Sequence, residues 1–419
     1  MQSLLILGRQ PELSLAELES LYGADKLRLV GQLAAVIDVD PCLLAFERLG
    51  GTVKFAKILT ELDTINWEDI GNFLINNSPG NSRRMPPGKM RLGISVYGFK
   101  QAPREVQRLA FNIKQAVRAT NRSVRVAPNN NPTLSTAQVI HNQLTGTNGW
   151  ELLIVKDNSR TIIAQTVKVQ DIGAYARRDR ERPARDLKVG TLPPKLAQVI
   201  INLAAGPLPA TTAQSVCDTR SPKPRSRAYC ADSLLLDPFC GSGVIIQEAA
   251  IMGYACLGSD ISPRMIDFAK TNLKWLREMP RSPLSLDPTI TFIQRDATKD
   301  QWPLDPNKKL FIASETDLGK PFIKPPPLAK LETEIAKAQR SITKTLDNLA
   351  KQLGSGTRIA FAVPAWRMPD GHIINLPLLD HNSYSEYNRV SFRHVRDEQL
   401  IYYRPNQVVA RAMLVLSKA

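Results

Sequence analysis

The sequence predicts an α/β protein whose carboxyl-terminal part is a Rossmann-like domain built on a mostly parallel sheet. Three consecutive features predict this fold. The apolar run Leu234–Leu236 is typical of a buried parallel strand, and a turn with the sequence DPFCGSG follows it directly. Apolar residues then recur at helical spacing over Val244–Met252. A second short strand, Tyr254–Gly258, completes a strand–turn–helix–strand unit of the kind that binds nucleotides.

The residues around this turn indicate the class of ligand. Gly241 and Gly243 allow the backbone to pass close to a ligand, and Asp260 follows the second strand, where an acid can hold the hydroxyls of a ribose. A dinucleotide site has a third glycine where this chain has Ile246. The carboxylate of Asp237 would also repel a pyrophosphate, whereas it suits a cationic amino-acid group. The turn therefore favours S-adenosylmethionine over NAD.

A third strand-like run, Thr289–Ile293, extends the predicted sheet. Asp296 follows it and is the expected partner of an adenine amino group. Cys240 lies within the turn, but no histidine or lysine of the turn would lower its pKa, so a packing role is favoured over a nucleophilic one. The residues predicted to bind the cofactor follow the ends of the three strands: Asp237, Phe239, Gly241, Gly243, Asp260, Ile261, Asp296 and Ala297.

The length and the charge of the chain indicate several domains and an acidic partner. At 419 residues the chain exceeds what one hydrophobic core usually serves. A net charge of +16 favours nucleic acid as the partner, bound largely through its phosphates. The five cysteines and four histidines are scattered without a C-x-x-C pair, so no metal site is expected. No stretch is long and apolar enough to span a membrane, and a cytoplasmic location is expected.

The part of the chain before the predicted catalytic domain contains no catalytic constellation. Short strands and helices alternate over residues 1–63, which we interpret as a ferredoxin-like α/β region. A second region, 64–170, combines strands with the amphipathic helix Pro103–Thr120. Arg104 and Arg108 lie on the polar side of this helix and are predicted to contact RNA phosphates.

A charged segment, 171–192, is predicted to link this region to the catalytic domain, 193–419. Within that domain, residues 206–232 are rich in Ser, Pro, Thr and Arg without periodicity, which predicts a flexible insertion. The linker is dense in arginines that are expected to line the path of the RNA: Arg177, Arg178, Arg182 and Arg185.

The turn DPFCGSG, followed by GSDIS and RDAT, resembles the core of the tRNA guanine-N2 methyltransferases that carry a THUMP domain, which are archaeal and eukaryotic enzymes. The likeness extends to LLILGRQPELSLAELESLYG at the start, LPPKLAQVIINLA before the cofactor strand, and LIYYRPNQVVARAMLVL near the end. The resemblance implies a class I S-adenosylmethionine-dependent methyltransferase domain whose sheet ends in an antiparallel hairpin. It also implies a preceding α+β THUMP-like domain that grips tRNA, and base flipping of the target guanosine.

The predicted catalytic turn departs from the pattern of that family. There, an Asp-Pro-Pro-Tyr turn accepts the hydrogens of the guanine amine, and its ring stacks on the flipped base. Here the strand Leu310–Ser314 leads into ETDLG, so that a glutamate replaces the aspartate and Leu318 replaces the aromatic residue. Trp366 is one candidate for the missing ring. The residues predicted to act in catalysis are Glu315, Asp317 and Phe322, the last as the other substitute ring.

This departure leaves two alternatives to an active tRNA guanine-N2 methyltransferase. One is a cofactor-binding and tRNA-binding protein with weak or absent catalysis, such as a partner subunit. The other is a methyltransferase that acts on another nucleic-acid amine. A shift of about 1 Å in the accepting group can cost orders of magnitude in rate, which is why the altered turn keeps both alternatives open.

Overall fold

A computed structural model of the chain describes residues 2–78, 88–186, 191–208, 232–280, 282–284, 288–322, 324–380, 383–384, 386–405 and 407–419. The predicted insertion over 206–232 therefore lies mostly outside the described residues. The chain forms two compact units. The amino-terminal unit comprises Met1–Pro11, Asp25–Glu47 and Thr52–Ala174, and the carboxyl-terminal unit comprises Glu12–Ala24, Arg48–Gly51 and Tyr175–Ala419.

The helices and strands follow each other in the order expected of two mixed α/β units. The first half contains the strands β1 (Ser3–Leu7), β2 (Leu27–Val30), β3 (Ala34–Ile37), β4 (Thr52–Leu62), β5 (Met90–Tyr97), β6 (Val124–Val126), β7 (Gly149–Asp157) and β8 (Arg160–Val169). Its helices are α1 (Pro11–Tyr22), α2 (Trp67–Asn76), α3 (Pro103–Ala119), α4 (Thr136–His141) and α5 (Ile172–Arg180).

The second half contains the strands β9 (Ser233–Asp237), β10 (Ala255–Asp260), β11 (Ile290–Gln294), β12 (Lys309–Glu315), β13 (Arg358–Arg367), β14 (Ile373–Ile374), β15 (Ser383–Tyr384), β16 (Tyr387–Arg389), β17 (Ile401–Tyr402) and β18 (Val409–Lys418). Its helices are α6 (Pro194–Ala205), α7 (Val244–Met252), α8 (Pro263–Glu278) and α9 (Leu328–Ala350). Among the described residues, no helix combines the length and the apolarity that crossing a membrane requires.

The amino-terminal unit is built on one eight-stranded sheet with the order β2-β3-β1-β4-β8-β7-β5-β6. Helix α3 packs on this sheet because its apolar residues recur at helical spacing: Val106, Leu109, Ala110, Ile113 and Val117 are buried. The regions 1–63 and 64–170, which the sequence analysis separates, share this sheet, since β4 of the first pairs with β8 of the second. Whether this unit is of the THUMP type stays a prediction.

Helix α1 belongs to the carboxyl-terminal unit, although it lies within the predicted region 1–63. The reason is the buried carboxylate of Glu17, which accepts hydrogen bonds from the amides of Gly50 and Gly51 at 2.8 and 2.9 Å. It also accepts one from the side-chain amide of Asn202 on α6 at 2.7 Å. Burial raises the pKa of Glu17 to about 7, against the opposing effect of these hydrogen bonds.

The carboxyl-terminal unit is built on a second sheet with the order β11-β10-β9-β12-β13-β18-β16-β15. Strands β9 to β13 are parallel, and β18 runs antiparallel to β13 along nine residue pairs from Arg358↔Ser417 to Trp366↔Val409. The Rossmann-like sheet with an antiparallel end, which the sequence predicts, is therefore confirmed. The strand order reverses between β9 and β12, which is where ligands bind in folds of this kind.

Candidate active site

A cavity of about 530 Å³ opens at the carboxyl ends of β9, β10 and β12, inside the carboxyl-terminal unit. Its position follows from the topology, because the carboxyl ends of parallel strands lie at one edge of the sheet. The cavity is lined by the turn after β9, the ends of the neighbouring strands and a short stretch before α6: Asp186, Thr191, Leu192, Asp237, Pro238, Phe239, Cys240, Gly241, Ser242, Val244, Ile245, Asp260, Ile261, Met265, Arg295, Asp296, Ala297, Thr298, Glu315, Thr316, Asp317, Leu318 and Ser341.

The turn after β9 is held open by two glycines and one carboxylate. Gly241 and Gly243 have φ values of 51° and 84°, in the left-handed region that favours glycine. A Cβ atom on Gly243 would lie 3.1 Å from the Cβ atom of Ala269, so this glycine also allows α7 and α8 to approach. The carboxylate of Asp260 accepts hydrogen bonds from the amides of Gly241 at 3.0 Å and Ser262 at 2.9 Å. The turns after β9 and β10 are thereby fastened to each other.

Asp237 is almost fully buried, with 1% of its surface exposed, at the floor of this cavity. Its carboxylate accepts hydrogen bonds from the hydroxyl of Ser314 at 2.5 Å and from the amide of Phe239 at 3.2 Å. Burial raises the pKa of Asp237 to about 8; these hydrogen bonds oppose the rise, and the neighbouring carboxylates of Asp260 and Glu315 add to it. A cation placed beside Asp237 would favour its charged form.

Three further predicted cofactor residues line the same cavity. Ile261 exposes 65% of its surface, so its apolar side chain is available to pack against the flat ring of a ligand. Ala297 is buried. The carboxylate of Asp296 accepts hydrogen bonds from the hydroxyl of Thr298 at 2.7 Å and from its amide at 3.0 Å, and these bonds hold the pKa of Asp296 below its usual range.

The electrostatic character of the cavity is strongly acidic. Among the described residues that line it, the carboxylates outnumber the basic side chains, of which Arg295 is the single example. Burial raises the pKa of the Cys240 thiol well above its usual value, and the nearby Asp237 adds to this effect, so Cys240 stays protonated. The cavity thus selects cationic ligands over phosphates. The six carboxylates are Asp186, Asp237, Asp260, Asp296, Glu315 and Asp317.

Glu315, at the end of β12, is committed to an ion pair. Its carboxylate accepts a hydrogen bond from the guanidinium of Arg411 on β18, which is buried. Burial raises the pKa of Glu315, and the charges of Arg411 and Arg404 oppose that rise. Asp317 is exposed and accepts a hydrogen bond from the amide of Gly319 at 2.9 Å. The two carboxylates predicted for catalysis therefore both line the cavity, in different environments.

The two aromatic rings predicted to stack on a base are placed elsewhere. In the described part of the chain, Phe322 is not among the residues that line the cavity. It packs, partly buried, on the core of the unit, with the ammonium of Lys330 5.4 Å from its ring centre. Trp366 is a core residue with 1% of its surface exposed. Neither ring lines the cavity in the described structure: Trp366 is buried in the core, and Phe322 packs against the core while partly exposed.

The arginines predicted to contact RNA divide into exposed and buried ones. Arg104, Arg108 and Arg177 are exposed, and Arg185 is partly buried. Arg178 is buried, because its guanidinium makes two hydrogen bonds, of 2.6 and 3.0 Å, to the carboxylate of Glu248 on α7.

Arg182 is buried as well, with a carboxylate oxygen of Asp179 4.0 Å from its guanidinium. Arg185 donates a hydrogen bond of 3.1 Å to the carbonyl of Arg182. The expectation that Arg178 and Arg182 line an RNA path is therefore wrong, because both side chains are buried. A run of charges in a sequence does not reveal which of its members have a buried acidic partner.

Several residues of the site were missed by the sequence analysis. Ser314 and Arg411 hold the carboxylates of Asp237 and Glu315, and their role depends on pairing between strands that are far apart in the chain. Other cavity residues come from a stretch before α6 and from helices: Asp186, Thr191, Leu192, Met265 and Ser341. The segment that begins at Leu192 is one of those that resemble the tRNA methyltransferase family. This resemblance could have pointed to the stretch before α6, because Leu192 itself lines the cavity.

A Rossmann-like domain with an antiparallel strand after its parallel strands, and an acidic cavity where the strand order reverses, defines a methyltransferase-type domain. Comparison with known proteins agrees with this class. Residues 226–278 match a protein family described as RMKL-like, methyltransferase domain. The whole chain is similar in fold to the crystal structure of TrmN from Thermus thermophilus, with a TM-score of 0.51, 16% identity and coverage of 100% of both chains.

A curated relative gives a partial match of higher identity. The chain is 32% identical over 85 residues to the tRNA (guanine(10)-N2)-dimethyltransferase of Methanothermobacter thermautotrophicus. This match covers 20% of the present chain and 18% of the relative. The comparisons and the fold together show that the carboxyl-terminal unit contains a methyltransferase domain.

Proposed function

We propose that the protein is an S-adenosylmethionine-dependent methyltransferase that methylates the exocyclic N2 amine of a guanosine in tRNA. The observation that carries this proposal is the cavity, whose described lining residues include six carboxyl groups and one arginine. S-adenosylmethionine has a sulfonium and an ammonium group, so it suits this cavity, whereas a pyrophosphate would be repelled. The printed activity of the Methanothermobacter thermautotrophicus relative supports the choice of acceptor.

The residues present fit this cofactor group by group. Asp237 would hold the ammonium group, Asp260 the ribose hydroxyls and Asp296 the adenine amine, while Ile261 and Ala297 would cover the adenine ring. When bound, the cofactor would supply a sulfonium methyl: the acceptor nitrogen bonds to the methyl carbon, the electron pair of the C–S bond stays on sulfur, and the nitrogen releases one proton.

The chain's own residues at the end of β12 would orient the acceptor amine. An exocyclic guanine amine is a weak nucleophile because its lone pair is delocalised, so it must be aligned closely with the methyl group. Asp317 is exposed beside the cavity and would accept one amine hydrogen. Glu315, whose side chain is held by the ion pair with Arg411, would supply a negative charge near the amine.

The amino-terminal unit would bind the tRNA through phosphates. On α3, the exposed side chains Arg104, Arg108 and Arg118 lie on one helix face with the exposed ring of Phe111. Such a stripe of cations and an aromatic ring suits a nucleic-acid backbone and an unpaired base. We propose that this unit acts as the THUMP-like RNA-binding region that the sequence resemblance implies. Exposed Arg177 of α5 would add a phosphate contact.

A second candidate function is a cofactor-binding and tRNA-binding protein with little activity of its own. One observation favours it: the carboxylate of Glu315, which stands at the position of the family's catalytic aspartate, is occupied by Arg411. A carboxylate held in an ion pair accepts an amine hydrogen less readily. In this case the protein would act together with a catalytic partner subunit. Its own cavity would bind the cofactor without transferring the methyl group.

The deciding experiment is transfer of a labelled methyl group from S-adenosylmethionine to unmodified tRNA, with analysis of the product nucleoside. We expect the wild type to form N2-methylguanosine. Asp260→Ala should form it at least a hundredfold more slowly, because it loses the carboxylate that connects the turns after β9 and β10. DNA of matched length serves as the acceptor control. Methyl transfer to DNA at an equal rate, or a product methylated at a ring nitrogen, would refute the proposed acceptor. No transfer despite measurable binding of S-adenosylmethionine and tRNA would favour the second candidate.

The contribution of α3 is tested separately by the salt dependence of tRNA binding. Replacing Arg104 and Arg108 together with glutamine should reduce the slope of log affinity against log salt by about 2, because two phosphate contacts are lost. The double variant Arg28→Gln, Arg160→Gln is the control, since both arginines already have carboxylate partners. An equal loss of slope in the control would show that only total charge matters.

A further inference from the structure

The hairpin that joins β17 to β18 lies at the same edge of the sheet as the cavity. Strand β18 runs antiparallel to β13, and its first residue, Val409, pairs with Trp366 near the end of β13. Since β13 is parallel to β12, the start of β18 lies at the carboxyl edge, where Glu315 lines the cavity. The hairpin residues 403–405 are therefore neighbours of the acceptor side of the active site.

An aromatic ring and a cation face each other on this hairpin. Tyr402 on β17 pairs directly with Arg411 on β18, and directly opposed residues of an antiparallel pair project from the same face of the sheet. The guanidinium carbon of Arg411 lies 5.9 Å from the ring centre of Tyr402. Tyr402 is partly exposed.

The ion pair of Arg411 connects this ring to the cavity. The guanidinium donates to the carboxylate of Glu315, and Glu315 lines the cavity. Arg404, two residues after Tyr402, is partly exposed and close enough for its charge to act on Glu315. The carboxylate of Glu315, the buried guanidinium of Arg411 and the ring of Tyr402 thus form one row that starts at the cavity, and the charge of Arg404 acts on the same carboxylate.

The chemistry of this row fits one ligand, a nucleotide of an RNA strand. A tyrosine ring stacks on any base, and a guanidinium beside it neutralises the phosphate that the base carries. The row begins at Glu315, the strand end that the proposed mechanism uses. The residue that follows this strand end in the lining of the cavity, Leu318, is not aromatic, so it offers an acceptor base no ring to stack on.

We propose that Tyr402, Arg404 and Arg411 form the acceptor-nucleotide subsite, in which Tyr402 stacks on the base to be methylated. Arg404 contacts the phosphate of that nucleotide, and Arg411 is a positioning residue that fixes Glu315 beside the base. This inference rests on the proposed function and names the residues that hold its substrate. The ring of Tyr402 takes the place of those of Phe322 and Trp366. None of the three is among the described residues that line the cavity, but Tyr402 is connected to it through Arg411 and Glu315.

The test compares the full-length variants Tyr402→Leu, Tyr402→Phe and Phe322→Leu with the wild type, using tRNA and S-adenosylmethionine. We expect Tyr402→Leu to lower kcat/KM for tRNA about ten- to a hundredfold, since one base–ring stack is lost, and Tyr402→Phe to retain wild-type turnover within about threefold. Phe322→Leu is the matched comparison, because its ring also lies near a cation, Lys330, whereas the cation beside Tyr402 is Arg411, the partner of Glu315.

Two measurements besides turnover distinguish a general structural change in Tyr402→Leu from the loss of stacking on the base. Binding of S-adenosylhomocysteine, measured by calorimetry, should be the same in Tyr402→Leu and the wild type. Ultraviolet cross-linking of bound tRNA should mark the peptide that contains Tyr402, and Arg404→Gln should reduce that cross-link without changing S-adenosylhomocysteine binding.

The outcomes separate this inference from the proposed function. Wild-type transfer to tRNA with an unchanged Tyr402→Leu variant, or with the loss in Phe322→Leu instead, would overturn the subsite and leave the methyltransferase standing. No transfer and no tRNA binding by the wild type would overturn both. For Arg411, the variant Arg411→Lys keeps the charge but not the fork of donors. A loss in kcat at unchanged KM in that variant would support its positioning role, and wild-type kinetics would refute it.

Discussion

The two sides of the cavity hold their partly buried carboxylates, Asp260 and Glu315, in different ways. On the cofactor side, Asp260 is fastened by the amides of Gly241 and Ser262, which lie 19 and 2 residues away in the chain. On the acceptor side, Glu315 is fastened by the guanidinium of Arg411, 96 residues away. The first side is thus built from backbone groups of the βα turns themselves. The second side depends on a single side chain delivered by the antiparallel end of the sheet.

In the proposed function, the first side binds the cofactor and the second side positions the acceptor, so the two ways of holding a carboxylate predict different responses to substitution. Backbone amides are present whatever side chains surround them, so a site built on them tolerates substitution nearby. A buried ion pair is different, because each partner depends on the other for charge compensation. We therefore expect the acceptor side to be the more fragile part of the site.

The largest expected effect is on the stability of the acceptor side. Replacing Arg411 with glutamine would leave the largely buried carboxylate of Glu315 without its partner. This should lower the free energy of unfolding by about 3 kcal/mol, the low end for a buried pair, because the Glu315 side chain keeps 17% of its surface exposed. Urea-induced unfolding, followed by circular dichroism, measures the change. The double variant Glu315→Gln, Arg411→Gln should recover most of the loss, since two amides can pair without a buried charge.

The control for this prediction is an ion pair on the surface. Arg396 and Glu398 form one with a distance of 3.2 Å between highly exposed side chains. Arg396→Gln should change the free energy of unfolding by less than about 1 kcal/mol. A loss in Arg411→Gln as small as that would contradict the view that the acceptor side depends on this pair.

The second prediction concerns proton release on the cofactor side. The pKa of Asp237 lies at about 8 in the folded protein, above its ordinary value of 3.8, so near pH 7 this carboxyl holds a proton. A bound cation would lower that pKa and expel about one proton. Calorimetry of S-adenosylmethionine binding at pH 7 in buffers of different ionisation enthalpy should reveal it, and Asp237→Asn should abolish the release and weaken binding about tenfold or more.

The same residue sets the sign of a pH effect on the protein without its ligand. Because the folded state binds the proton of Asp237 more tightly than the unfolded state, this group stabilises the fold fully below about pH 4, and its contribution is lost as the pH rises towards about 8. The difference in unfolding free energy between the wild type and Asp237→Asn should follow that trend. A difference that grows with rising pH would show that Asp237 is charged in the folded state.

The contrast between the two sides also explains what could be predicted from the sequence. The turn after β9 was predictable because its glycines and acids act within one βα unit, where spacing alone fixes the geometry. The parallel sheet was predictable for the same reason, from short apolar runs that alternate with helical patterns. The pairing of Glu315 with Arg411 was not, since it requires the register between β13 and β18 and the reach of two long side chains.

The same reason accounts for the predictions that failed. Arg178 was expected on the surface because it stands in a charged run, but its partner Glu248 lies 70 residues further along the chain. Residues 1–63 and 64–170 were expected to form separate regions from their patterns of helices and strands, whereas strand pairing between β4 and β8 places both in one sheet. Local patterns predict elements and motifs, while the partner of a buried charge and the members of a sheet are decided by tertiary packing.

The smallest expected effect tests the cofactor side at its apolar edge. Ile261 exposes 65% of its surface at the cavity, so shortening it removes little buried area from the folded protein. Ile261→Ala should therefore change the free energy of unfolding by no more than about 0.5 kcal/mol. It should weaken S-adenosylhomocysteine binding by about 1–2 kcal/mol, because up to three carbon atoms would no longer cover the adenine ring. Leu328→Ala is the matched control, since Leu328 exposes 66% of its surface and does not line the cavity. Equal affinities of wild type and Ile261→Ala would show that the ring of the cofactor lies elsewhere. The proposed contact between Asp237 and the ammonium group of the cofactor would not be affected, because the proton release tests it separately.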